Sequence, residues 1–248
     1  MEYTETREVI NKMQLWLHAF TAICGKPIQI PVSGGVQYQF KQEDEYTFCV
    51  AKAVRIVSGF NASLMLVDSG YIVEAGTLLR PMSDCSNDIM LIAQGMITKT
   101  ATGTHKKIIN DYFKTVPQDI FTYKQQQKER YVGRKELYCA YKKSADGMGI
   151  DGDFLNDLKK YIDKISDYYV HCGYSTSMEL YNPNSGLFSV KGDTTEFQRD
   201  VFRKAIATKV FESLIAFEYI AKLFGLSDIG QEITTVKNHY ETSSDYCN

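Results

Sequence analysis

The chain has 248 residues, 44% of them hydrophobic and 23% charged, with a formal net charge of -2. This is the composition of a globular protein with enough chain to bury a large core, and it argues against disorder. The slightly acidic balance excludes a bulk electrostatic grip on nucleic acid, which needs a broadly basic surface, and leaves only a local basic patch.

The six cysteines are Cys24, Cys49, Cys85, Cys139, Cys172 and Cys247. None pairs at C-x-x-C spacing and most sit in apolar, helix-like contexts. That predicts reduced, buried thiols in a cytoplasmic protein rather than a disulfide framework or a zinc site. Glu2, Glu5 and Glu8 precede the first apolar run, unlike a secretory signal. No run of about 18 uncharged apolar residues is present, so no membrane-spanning helix is expected.

In chain order, Thr4 to Cys24 predicts a helix with its stripe at Val9, Met13, Trp16, Leu17 and Phe20, stopped by Gly25. Residues 26–44 alternate instead, through Ile28, Ile30 and Val32 and then Val36, Tyr38 and Phe40. This predicts a β-hairpin inserted into a helical body, with Pro31 at an edge. Thr47 to Ser69 predicts a second helix, striped at Val50, Val54, Val57 and Leu64. Tyr71 to Thr98 predicts a third, striped from Ile72 through Ala75, Leu79, Met82, Ser86, Ile89 and Ala93 to Met96. With Gly70 as the turn, the two make an antiparallel hairpin. Pro81 either kinks the third helix or stands in its first turn, if the helix begins near Leu79.

Thr104 to Lys114 predicts a short helix with His105 as a first-turn surface residue. Lys124 to Lys143 is basic, with seven Lys or Arg against Glu129 and Glu136. Lys128, Arg130, Arg134 and Lys135 are its nucleic-acid-binding candidates, although such a run is commonly a solvated face. Residues 144–152, with three glycines, predict a flexible linker within one domain spanning 1–248. Asp146, Asp151 and Asp153 do not follow calcium-loop spacing, and no metal or cofactor is expected.

Asp153 to His171 predicts an amphipathic helix ending at Gly173. Thr176 and Glu179 match a capping box, residues 182–186 a turn, and Leu187 to Val190 a short strand. Asp193 and Glu196 match a second capping box ahead of the longest helix, Thr194 to Phe224, which at 1.5 Å per residue spans about 45 Å. Its apolar residues lie on more than one side (Phe197, Val201 and Phe211, then Phe202, Ile206, Leu214 and Phe217). That pattern belongs to the centre of a bundle. Ser227 opens a last helix to Tyr240. The fold class expected is all-α, a bundle of about seven or eight helices.

Among groups able to do chemistry, Arg80 and Asp84 sit four apart, facing one another on the third helix. They project from a face that is polar at its middle, with Thr77, and apolar at Val73 and Leu91. Such a face either encloses a pocket or carries an ordinary surface ion pair. His171 sits in the last turn of its helix, where the partial negative charge favours imidazolium. It reads as a general acid–base or as a cap. Tyr174, Ser175 and Glu179 complete the candidate pocket, each with a structural alternative as a satisfied polar or capping group. No G-x-S-x-G, P-loop, H-E-x-x-H or dinucleotide fingerprint is present.

VDSGYIVEAGTLLRPMSDCSNDI (Val67 to Ile89) and SDYYVHCGYSTSMELY (Ser166 to Tyr181) together resemble two signature segments of a group of uncharacterised bacterial all-helical proteins. That group is similar in turn to the HEPN superfamily of toxin and phage-defence systems. The resemblance implies a HEPN-like bundle, a dimer, and metal-independent RNA endonuclease activity resting on an Arg–His pair. The family's motif places His four to six residues after Arg on one helix. No Arg of this chain has His at that spacing, so the pair would be Arg80 with His171, with Asp84 orienting one of them. Three readings follow: a HEPN-like ribonuclease with RNA as partner; a non-catalytic helical interaction module whose Arg/Asp/His cluster is a structural network, its partner another protein or a second copy; and a sensor that binds an anionic small molecule through Arg80.

Overall fold

A computed structural model describes residues 3–32, 35–113, 139, 142, 178, 180–182, 186–188, 191–192 and 194–243. Six helices and two strand pairs lie among them. The elements are α1 (Tyr3–Cys24), β1 (Ile28–Val32), β2 (Gly35–Gln39), α2 (Glu45–Asp68), α3 (Ile72–Ile97), α4 (Gly103–Phe113), β3 (Tyr181–Asn182), β4 (Leu187–Phe188), α5 (Glu196–Leu223) and α6 (Ser227–Ser243). The chain is mostly helical, as the periodicity predicts. The segments expected at 124–143, 144–152 and 153–171, and the capping box at 176–179, lie outside the described residues apart from isolated positions.

Helix ends follow local chemistry. Asp44 caps α2: its Oδ1 accepts from Thr47 N–H at 2.9 Å, and Thr47 Oγ1 accepts from Asp44 N–H at 3.1 Å. Reciprocal bonds of this kind satisfy two donors that the first turn would otherwise leave orphaned. At α5 the expected box shifts by two residues. Thr195 is the N-cap and Gln198 its partner, in place of Asp193 and Glu196. Pro81 is the tenth residue of a continuous α3, so the alternative start near Leu79 is excluded.

α2 and α3 form the expected antiparallel hairpin, and α5 runs through the middle, touching α1, α2, α3 and α6. The core holds Phe20, Phe48, Phe60, Phe217 and Tyr240, all fully buried. Phe20 packs on Phe217 and Phe224, and Trp16 packs on Phe217, which fixes α1 against α5. Tyr240 of α6 closes the other end, donating to Ala207 O at 3.3 Å and pairing with Thr6 Oγ1 at 3.1 Å. Two apolar stripes are revised. Val54 is 45% exposed, and α5 turns Phe197 (77%) and Val201 (48%) outward, so this helix is central along its C-terminal two-thirds only.

The α2–α3 corner is joined to the start of α5 by an unusually close backbone contact. Gly70 and Gly192 both have positive φ (82° and 80°). A Cβ on Gly70 would lie 1.8 Å from Gly192 O, and one on Gly192 would lie 2.1 Å from Ser69 O. Only glycine meets both demands, of space and of backbone conformation. Thr194 Oγ1 donates to Gly70 O, and the Arg199 guanidinium reaches Asp68 O, Gly192 O and Thr194 Oγ1.

The β1–β2 hairpin pairs Ile28 with Gln39 through Val32 with Gly35, as the alternation predicts. β3 and β4 make a two-residue antiparallel pair. By length and mean hydropathy (1.4 over its most apolar window) α2 could cross a membrane, which the sequence reading did not expect. Its buried face packs on α1, α3 and α5, so core packing accounts for much of that apolarity. Cys49 and Cys85 are buried free thiols and Cys24 is half-buried, but Cys139 is exposed, against expectation.

Candidate functional site

Arg80 and Asp84 do face each other on α3, with Arg80 Nε 3.7 Å from Asp84 Oδ2. The Arg80 side chain is mostly covered (16% exposed), while that of Asp84 is half open (48%). Thr77, one turn before, donates its hydroxyl to Glu74 O at 2.7 Å and so serves its own helix. His171, Tyr174, Ser175, Glu179, Lys128, Arg130, Arg134 and Lys135 lie outside the described residues.

One turn beyond Asp84 the same face of α3 carries a second ion pair. Lys52 Nζ of α2 donates to Asp88 Oδ2 at 2.9 Å, with side chains 16% and 22% exposed. The ammonium lies 4.6 Å from the Tyr112 ring centre and 5.4 Å from that of Phe48. Tyr112 stands edge-on to Phe48 at 5.0 Å. A cation over aromatic faces gains from the ring quadrupole, most where water is displaced. A charge this covered needs both its acid and its rings to offset the loss of hydration.

The helices place these groups by register. In the antiparallel hairpin Gly59 meets Met82 and Lys52 meets Asp88. That register sets Arg55 level with Asp84 and Cys85. α4 then lies antiparallel to α3: His105 rests on Gly95, and seven residues on, Tyr112 reaches Lys52. It covers the C-terminal half of the face on which Arg80 and Asp84 lie. His105 is therefore buried (5% exposed) and not the surface residue expected. Its Nδ1 accepts from Thr102 N–H at 3.0 Å.

The electrostatics of the cluster are consistent. Burial alone would lower the Lys52 pKa, but the Asp88 carboxylate, through its charge and its hydrogen bond, outweighs this and holds the ammonium above its usual range. Burial raises the Cys85 thiol, against the opposing pull of Lys52. Burial likewise raises the Tyr112 phenol, again opposed by Lys52. Cys49, deeper in α2, is pushed up by burial.

The sequence reading missed Lys52 and Asp88. A signal existed: Lys52 interrupts a run in which Val50 and Ala53 are fully buried, and a lysine so placed calls for an acid. A second polar seam joins α3 to α5. Ser83 Oγ donates to Glu212 at 3.3 Å, Ser86 and Ser213 share a hydrogen bond at 2.9 Å, and Lys209 holds Glu212. No group of three or more metal-ligating side chains gathers among the described residues. Comparison with family models, with curated proteins and with solved structures found no match to the chain.

Proposed function

We propose that this chain is a non-catalytic helical interaction module, in which the Lys52–Asp88 pair is the structural link that fixes the α2–α3 hairpin and α4, and the Arg80–Asp84 pair is a contact within α3. One observation carries the reading. Each side chain of the Lys52 cluster with a shifted proton affinity (Lys52, Cys85, Tyr112) is shifted upward, away from neutrality. A general acid, base or nucleophile working near pH 7 needs the opposite. The aspartates meanwhile hold the two cations that an anionic substrate would seek.

The resemblance of Val67 to Ile89 and Ser166 to Tyr181 to HEPN-like bacterial proteins supports a defence- or toxin-type setting and a HEPN-like arrangement of the wider bundle. The buried free thiols support a cytoplasmic one. The partner is then a second copy of the chain or another protein.

The test is RNA cleavage by the purified protein with chelator present, with Arg80→Ala and His171→Ala run alongside and each variant melted. The module reading expects no cleavage by the wild type or by either variant. Cleavage by the wild type that vanishes in folded Arg80→Ala and His171→Ala variants overturns it in favour of a ribonuclease. There His171 would take the proton of a ribose 2′-hydroxyl, and Arg80 would stabilise the charge developing on the phosphate.

A further inference from the structure

The corner between α3 and α4 holds a histidine in surroundings that disfavour its charged form. His105 lies in the first turn of α4 and is 5% exposed. Its Nδ1 accepts from the Thr102 backbone N–H and lies 3.0 Å from Thr102 Oγ1. A backbone N–H can only donate, so Nδ1 is the bare nitrogen and the ring proton sits on Nε2. Nε2 is buried without a hydrogen-bond partner. It presses on α3 where Gly95 leaves room, since a Cβ there would stand 2.6 Å from Nε2.

Among the described residues no acidic side chain acts on the ring, and burial alone sets the direction of its proton affinity. α3 presents Gln94 and Gly95 to this corner, and neither carries charge. The connecting loop contributes Lys99, and α4 contributes Lys106 and Lys107, all cations. Asp111 is six residues along α4, on another side of that helix. α2 brings the charges of Lys52 and Arg55 to bear on α4 at its far end, by Tyr112. The partial positive charge of the α4 N-terminus also disfavours a cation in its first turn.

We propose that His105 is a proton-operated clasp: protonation at Nδ1 expels the ring from Thr102 and releases α4 from the α2–α3 hairpin, uncovering Phe48 and the Lys52–Asp88 pair. A protonated Nδ1 turns the Thr102 backbone N–H into a donor facing a donor, and among the described contacts leaves only the Thr102 hydroxyl to accept from it, while Nε2–H stays buried without a partner; the closed seat is thereby weakened once the proton is on. α4 is otherwise held by Ile109, which is buried in the core, and at its far end, where Tyr112 meets Phe48 and Lys52.

The sign follows from burial, which lowers the imidazole pKa in the closed state. The open ring takes up its proton near an ordinary value of about 6.5. The clasp is thus fully closed above that value. It loosens as pH falls, with the opening constant rising up to about tenfold per pH unit until the lowered value is reached.

Amide hydrogen exchange over residues 103–113, corrected for intrinsic rates, tests this between about pH 7.5 and about pH 5. In the wild type, protection of α4 is expected to fall about tenfold or more while α5 stays protected. In His105→Asn, whose side-chain oxygen can accept from Thr102 but takes no proton in this range, α4 protection is expected to stay flat. Equal protection of wild-type α4 at both ends of the range, or an equal loss in the variant, overturns the proposal. Should the variant not fold, an NMR titration of the wild-type His105 ring decides: a midpoint below the ordinary imidazole value supports the clasp, and one at or above it sinks it.

Discussion

Lys52 and Arg80 each hold an aspartate of α3, yet their surroundings differ. Lys52–Asp88 is covered on both sides and roofed by Tyr112, whereas Asp84 is half exposed. Water screens the Arg80 pair, so a double-mutant cycle on Arg80 and Asp84 should give a coupling of about 0.5 kcal/mol or less. The cycle on Lys52 and Asp88 should give about 1–3 kcal/mol, and denaturant melts of the wild type and the six variants check both. Glu218 provides a pH readout. Burial by itself would raise its pKa, but hydrogen bonds from Lys222 and Lys237 outweigh this and hold it below its usual range. Its stabilisation is therefore complete above the unfolded value of about 4.3 and lost as pH falls through the lowered one. Melts in that range should fall less steeply for Glu218→Gln than for the wild type. Arg80 and Asp84 were legible in the sequence because four residues on one helix always face each other. Lys52 and Asp88 were not, because their meeting depends on the register between two helices, which periodicity does not contain.

At the level of elements, α5 is seated by its first turns. The Gly70–Gly192 contact leaves no volume for a methyl group, and both residues need the left-handed region. Gly70→Ala should cost about 3 kcal/mol or more, from backbone strain together with the displaced carbonyl. A conventional glycine-to-alanine gain would contradict this packing. Tyr240→Phe should cost about 1 kcal/mol, because the ring stays packed and only the bonds to Thr6 and Ala207 are lost. The sequence marks Gly70 as a turn, but nothing in it signals that Gly70 and Gly192 touch. The helices themselves were legible nearly to their ends: stripe and following glycine locate α1 and α2, and Ser227 opens α6. Where the reading slipped, at the α5 cap and at His105, two overlapping cap patterns or a tertiary neighbour decided the outcome.

Across the whole molecule the apolar periodicity told how many faces each helix buries but not against what. It assigned α5 to the centre correctly and left its outward Phe197 and Val201 unforeseen. The bonds that close the bundle span long stretches of chain: Ser86 to Ser213 crosses 127 residues and Thr6 to Tyr240 crosses 234. The α2–α3 hairpin, by contrast, is local and can form first. Trp16, the single tryptophan of the chain, donates its indole N–H to Glu232 of α6 at 2.9 Å and packs on Phe217 of α5. Intrinsic fluorescence is therefore a private channel onto the late, long-range half of assembly. In a stopped-flow refolding trace the hairpin should appear in far-ultraviolet circular dichroism before the tryptophan signal moves. Synthesis on the ribosome should keep that signal silent until α6 has emerged.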